Sequence, residues 1–290
     1  MLEHDHRSPV FQEAKTSAFI IRKVIPHRLT MYIADKLLGE GLTDEGHRKL
    51  KDIVGKILRG EHISASREMP QVYEDSDFVF TTAGEENIPS GGATLFMGNH
   101  TSGGPLFGMG QYFEVSRSVY RMRINVESEG LREPVAIAQR GLTKVTKLPG
   151  GRKIVWNIPL TGQFYDLAAE CLSWATVLPP KFDAGGQIVN KQKLPKWVVN
   201  NLVAGGALLW LPQGKHQDVN DLTMPEKSAG LLTKLKDEDV NLVAVRFVPG
   251  NNSLQIFFSR AVHIEDVPQK DGVVDIGDFI NNYMQRLGEQ

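Results

Sequence analysis

The sequence predicts a layered α/β fold, a central sheet of mostly parallel or mixed strands flanked by helices, with an N-terminal helical extension. Three observations lead there. From residue 77 onward, short apolar runs that read as buried strands alternate with segments of helical spacing. The first strong run, Ala93-Thr94-Leu95-Phe96-Met97, is stopped by Gly98. Ahead of all the strands lies a stretch whose apolar residues recur at helical intervals. Residues 1–76 are therefore assigned to the helical extension and 77–290 to the α/β part, together one globular unit.

The elements follow in order. Phe19, Ile20, Ile21, Val24, Ile25, Leu29, Tyr32, Ile33, Leu37 and Leu38 form an apolar series alternating with Arg22, Lys23, Arg28 and Lys36. Pro26 should kink or split it, because proline lacks the N–H and clashes with the preceding turn. A second helix carries Leu50, Ile53, Val54, Ile57 and Leu58, with Thr43 as N-cap, Glu45 in the first turn and Gly60 as the stop. A polar loop is expected from 61 to 77. Phe78-Val79-Phe80 reads as a strand, 85–92 as a turn and 93–97 as a strand. Helices are expected near 106–116, 164–174, 197–203 and 229–235, and strands at 175–178, 207–211, 242–247 and 254–258.

Composition excludes several classes. The chain has 290 residues, 41% hydrophobic and 23% charged, and its 33 basic and 34 acidic side chains leave a net charge of −1. That balance gives no general affinity for nucleic acid, which needs a basic excess. One cysteine, Cys171, excludes a disulfide framework or thiolate cluster and fits a reducing, cytoplasmic compartment. The first residues are too polar for a secretory signal. The charge is uneven: residues 15–59 hold ten Lys/Arg against five Asp/Glu, an excess of five, so the remainder carries −6. Two readings of that basic stretch stand side by side. Its apolar faces pack on the domain that follows, or it lies against an anionic inner membrane face as a peripheral contact.

Residues 87–113 contain no Asp, Glu, Lys or Arg, yet seven glycines and two prolines rule out a membrane span. Inside this window lies Gly98-Asn99-His100-Thr101-Ser102-Gly103-Gly104, where a buried strand ends. Ligands bind at such strand ends in open α/β sheets, and histidine is the usual general base near neutral pH. The alternative is a histidine that merely caps a turn. A two-metal phosphoesterase site would need an acidic residue directly after the histidine, and Thr101 stands there, so no metal is expected. A second strand exit, Leu209-Trp210-Leu211-Pro212-Gln213-Gly214-Lys215-His216, could offer N–H groups and positive charge to a phosphate, or be an ordinary solvated loop.

Taken together these segments resemble the lysophospholipid/glycerol-phosphate acyltransferase superfamily. Gly84-Glu85-Glu86-Asn87-Ile88-Pro89, a strand and Asn99-His100 are similar to that family's entry into its His-x4-Asp block. The subset reading Asn-His-Ser-Gly-Gly is the nearest likeness. Ile158-Pro159-Leu160-Thr161-Gly162 looks like the approach to a second block near 176–183. Leu211-Pro212-Gln213-Gly214-Lys215-His216 sits where the family has Phe-Pro-Glu-Gly-Thr-Arg, and Val243-Ala244-Val245-Arg246-Phe247-Val248-Pro249 resembles its final strand. The likeness spans roughly 77–263.

The resemblance implies transfer of a fatty acyl group from acyl-CoA or acyl carrier protein to a lipid hydroxyl, with no cofactor beyond that co-substrate. His100 would be the base. Asn99 and the Thr101, Ser102, Gly103, Gly104 backbone would position it or bind the oxyanion. Gln213, Gly214, Lys215, His216 and Lys181 would meet the acceptor, and the 87–113 window would line an acyl groove. Two departures stand out. Pro105, or Phe107 in a looser alignment, occupies the position of the family aspartate, with Glu114, Asp166, Asp218 and Asp221 as conceivable substitutes. Gln213 replaces the glutamate. These departures leave room for a second reading, a protein of the same fold that binds a lipid, acyl chain or partner without catalysis.

Overall fold

Two glycine and capping signals place the first long helix. In the computed structural model, which describes residues 27–101, 106, 109–139, 143–147, 153–157, 161–177, 194–212, 222, 229–271 and 273–287, helix α1 spans His27–Leu38 and α2 spans Asp44–Arg59. The Thr43 hydroxyl accepts a hydrogen bond from the Gly46 N–H at 3.2 Å, and Gly60 ends the helix in the left-handed conformation at φ 65°. Helix α1 begins directly after Pro26.

Helix α3, Glu68–Tyr73, corrects the loop expected between 61 and 77. Its start is marked by reciprocal caps. The Arg67 N–H donates to Ser64 Oγ at 3.2 Å, and the Ser64 N–H donates to Glu68 Oε1 at 3.1 Å. Met69, Val72 and Tyr73 are buried on its inner side.

The strands follow as β1 Val79–Ala83, β2 Ala93–Gly98, β3 Val135–Gln139, β4 Thr143–Lys147, β5 Lys153–Asn157, β6 Ala175–Val177, β7 Ala207–Trp210, β8 Val240–Pro249, β9 Ser253–Phe258 and β10 Val262–His263. Between them lie α4 Gly110–Met122, α5 Thr161–Cys171, α6 Lys196–Val203 and α7 Ala229–Leu235. Helix α4 starts later and runs further than the 106–116 expected, because Val119 and Met122 continue its apolar side. β3, the β4–β5 hairpin and β10 had no counterpart in the sequence reading.

The main sheet has the order β1-β9-β8-β2-β7-β3-β6, with β10 paired to the start of β8. All its pairings are parallel except β8 with β9 and with β10. Burial alternates along the strands. Phe96, Leu209, Val243 and Val245 point into one core, shared with α1 to α5, while Leu95, Met97, Leu208, Leu242 and Ala244 point into a second, under α6 and α7.

Crossover handedness explains the two layers. From β2 to β3 and on to β6 the chain moves outward across the sheet, and its helices α4 and α5 cover the first face. From β6 to β7 and then β8 it moves back, so right-handed crossovers place α6 and α7 on the other face.

Helices α1 to α3 form an extra layer over the first face, and α4 is consequently buried almost all round. One polar link between this layer and α4 is Tyr73, whose hydroxyl donates to Glu114 Oε1 at 2.8 Å, with Arg117 3.6 Å away. Burial pushes the Glu114 carboxyl above its usual range, while the Tyr73 hydrogen bond and Arg117 act against it. A carboxyl raised on folding binds more protons in the folded state, so stability falls as pH rises through the window between the two values. Glu114→Gln keeps an acceptor for Tyr73 and removes that penalty. The variant should be more stable than wild type at neutral pH and equal to it in acid, measured by urea unfolding across pH.

Candidate active site at the carboxyl ends of β2 and β7

β2 is the central strand, buried at every position between β7 and β8. That burial accounts for part of the charge-free window directly: residues 93–98 lack charge because both faces of the strand are covered. Met97 lies opposite Trp210 and Gly98 opposite Val245, so β2, β7 and β8 run towards one sheet edge. The chain leaving β2 enters α4 on one face, and the chain leaving β7 returns through α7 on the other. Adjacent parallel strands whose connections diverge in this way open a crevice at their carboxyl ends.

Gly98 is where the strands close over one another. A Cβ there would sit 2.7 Å from Phe247 Cε2 and 3.0 Å from Leu211 Cδ2. The second strand exit, beginning at Leu211, thus rests against the first. The next residue, Asn99, is buried and holds the Phe247 backbone with both ends of its amide. Its Nδ2 donates to the Phe247 carbonyl at 3.1 Å, and its Oδ1 accepts from the Phe247 N–H at 2.8 Å. These bonds tie the residue before His100 to β8.

His100 is half-buried just past the end of β2, and Thr101 is buried. The imidazole meets the ring of Tyr112, in the first turn of α4, with centroids 6.4 Å apart and planes at 78°. Tyr112 packs on Trp174 at 5.3 Å, and Trp174 stacks on Phe113 at 5.9 Å. Edge-to-face and offset pairs of this kind contribute about 0.5–1.5 kcal/mol beyond the area they bury. Burial raises the Tyr112 phenol, which stays neutral. On the way from Thr101 to α4, buried Leu106 takes φ 56°, a strained value for a residue with a side chain, and such strain persists only where the surroundings fix it.

Tyr112 and Trp174 were not found from the sequence. The periodicity that marked α4 and α5 gave each an apolar position, and only their meeting in space connects them to His100.

The sequence-derived residues divide sharply. Asn99, His100 and Thr101 stand together at the crevice. Ser102, Gly103, Gly104, Lys181, Gln213, Gly214, Lys215 and His216 lie outside the described residues, as do Pro105 and Phe107. Of the substitute acids, Glu114 is engaged with Tyr73, about 200° around α4 from Tyr112. Asp166 lies half-buried on α5, beside Tyr165, whose phenol burial pushes up to about 12. Asp218 and Asp221 lie outside the described residues. Cys171 is buried, its thiol donating to the Ile57 carbonyl at 3.8 Å and pushed up to about 12 by burial, so it remains a protonated core residue.

No family model matches the chain, and no curated protein matches it. Among solved structures, the chain is similar to the 1-acyl-sn-glycerophosphate (LPA) acyltransferase PlsC from Thermotoga maritima. That match has 13% identity and a TM-score of 0.39, over 90% of this chain and 88% of the other.

Removing the Asn99 amide tests the clamp. Asn99→Ala leaves the buried Phe247 N–H and carbonyl unpaired, and should lower stability by about 2–4 kcal/mol in urea unfolding.

Proposed function

We propose that the chain is an O-acyltransferase that moves a fatty acyl group from acyl-CoA or acyl carrier protein to a hydroxyl of a (glycero)lipid-type acceptor. The observation that carries this reading is the placement of Asn99-His100-Thr101 at the end of a central strand, beside the exit of β7. The sequence resemblance assigns its catalytic and acceptor segments to those same two strand exits.

In the proposed reaction the His100 imidazole takes the acceptor hydroxyl proton as the oxygen attacks the thioester carbon. The tetrahedral intermediate collapses with loss of the thiolate, which receives the proton from the imidazolium. Backbone N–H groups of 101–104 would face the oxyanion, while Gln213, Gly214, Lys215, His216 and Lys181 would hold the acceptor. Buried Cys171 is not a nucleophile in this scheme. The apolar lining near His100 suits a fatty chain.

Access to lipid is proposed through residues 15–59. Among the described residues no helix is long and apolar enough to cross a membrane. The inner sides of α1 and α2 are taken up in the core through Ile33, Ala34, Leu50, Ile53 and Val54. What α1 offers outward includes Arg28 and Tyr32, four residues apart, with Tyr32 60% exposed, and the exposed Asp35, which is paired with His47 at 2.9 Å. A cation beside an interfacial aromatic suits an anionic lipid surface.

The missing aspartate supports the second reading, a binding protein of the same class. One experiment separates the two. Purified protein is incubated with radiolabelled palmitoyl-CoA or palmitoyl carrier protein and a panel of lysophospholipids, for wild type and His100→Ala. Acyl transfer that falls at least about 100-fold in His100→Ala supports the enzyme. Transfer unaffected by the change overturns the mechanism, and saturable acyl binding without transfer favours the binding protein. Co-sedimentation with phosphatidylglycerol vesicles should weaken with salt and in Arg28→Glu; equal sedimentation with neutral vesicles would contradict the surface assigned to α1.

A further inference from the structure

The proposed base has Pro105 or Phe107 where the family its sequence resembles has an aspartate, and the structure sets an aromatic ring against its imidazole. We propose that Tyr112, held by Trp174, is a positioning residue for His100: the aromatic plate restrains rotation of the imidazole plane. This rests on His100 being the base.

Three features support it. Tyr112 meets the imidazole at 78°, a T-shaped contact that rotation of the imidazole would break. Tyr112 itself has no freedom to follow, because it is buried and packed on Trp174, which stacks in turn on Phe113. Trp174 is fixed by the end of α5. Ser173 takes the left-handed conformation at φ 55°, which lets the Trp174 N–H donate back to the Ala169 carbonyl at 2.8 Å. The imidazole is therefore set from two sides of the chain, by the Asn99 clamp on its backbone and by the Tyr112 plate on its ring.

The role is geometric, so the ring matters and the phenolic hydroxyl does not. The Tyr112 phenol stays protonated and moves no proton in the reaction. Tyr112→Leu keeps an apolar side chain but removes the plate, and Tyr112→Phe restores the plate.

The test reads His100 by proton NMR in the full-length protein, its ring signals assigned by their loss in His100→Gln. In wild type and Tyr112→Phe, the His100 ring protons should show nuclear Overhauser contacts to the ring at position 112 and ring-current-shifted resonances. In Tyr112→Leu that shift should collapse while the other histidine signals stay in place. In the palmitoyl-transfer assay, kcat should fall at least about tenfold in Tyr112→Leu with KM little changed, and return in Tyr112→Phe. If Tyr112→Leu does not fold, the wild-type contacts and the Tyr112→Phe kinetics decide. Absence of His100–Tyr112 contacts in folded wild type, or a kcat loss in Tyr112→Phe equal to that of Tyr112→Leu, would overturn the assignment. Contacts present with no acyl transfer in any form would uphold the packing and instead refute the acyltransferase reading.

Discussion

The pair of hydrogen bonds from the Asn99 amide to the Phe247 backbone is the interaction on which the site depends. β2 ends at Gly98, where a Cβ would press on Phe247 and Leu211. The chain beyond it would then be free to leave the sheet. Asn99 prevents that by satisfying the N–H and carbonyl of Phe247 in β8. An amide suits this position because it offers one donor and one acceptor, as a backbone position does. With that residue fixed, the backbone entering His100 is fixed too, and the imidazole falls against Tyr112. A buried, fully paired amide is also costly to lose, since both backbone groups would be left dry and unpaired.

The sheet topology makes the position of this clamp consequential. β2 and β7 are neighbours followed by helices on opposite faces, α4 and α7, the arrangement that in open α/β sheets opens a crevice at the strand ends. Among the described residues, the buried charged groups lie elsewhere. Glu114 is turned towards Tyr73 in the outer helical layer. Arg123, fully buried, donates to the Thr94 hydroxyl at 3.1 Å and to the Gly205 carbonyl, at the amino ends of β2 and β7. Burial lowers Arg123 to about 10, still charged under ordinary conditions. The guanidinium thus ties together the starts of the two strands whose ends carry the candidate site.

Much of this was legible in the sequence, for identifiable reasons. β2 and β7 are short apolar runs because both faces of each are covered, and α2 announced itself through Thr43, its apolar periodicity and Gly60. The strand-ending Gly98-Asn99-His100 marked a candidate site because ligands bind at the strand ends of open α/β sheets. What local pattern does not encode is which strands become neighbours, so the meeting of Leu211 with Gly98 was accessible only through the resemblance. The Tyr112–Trp174 plate was hidden for the same reason: an aromatic residue on an apolar helix side looks like ordinary core until its neighbour is known. α3 was missed because six helical residues are too few for periodicity, although Ser64 and Glu68 carried its caps. The charge-free window was read as a ligand groove, and part of it is simply the central strand.

The central claim is that the crevice at the carboxyl ends of β2 and β7 receives an acyl thioester beside His100. The most direct test is photolabelling with a diazirine-bearing palmitoyl-CoA, followed by mass-spectrometric mapping of the modified peptides. The account predicts label on peptides covering 99–113 and 211–216, lost in the presence of excess unmodified palmitoyl-CoA. Label confined to the opposite edge, around Arg123 and Gly205, or spread without competition over the surface, would contradict it.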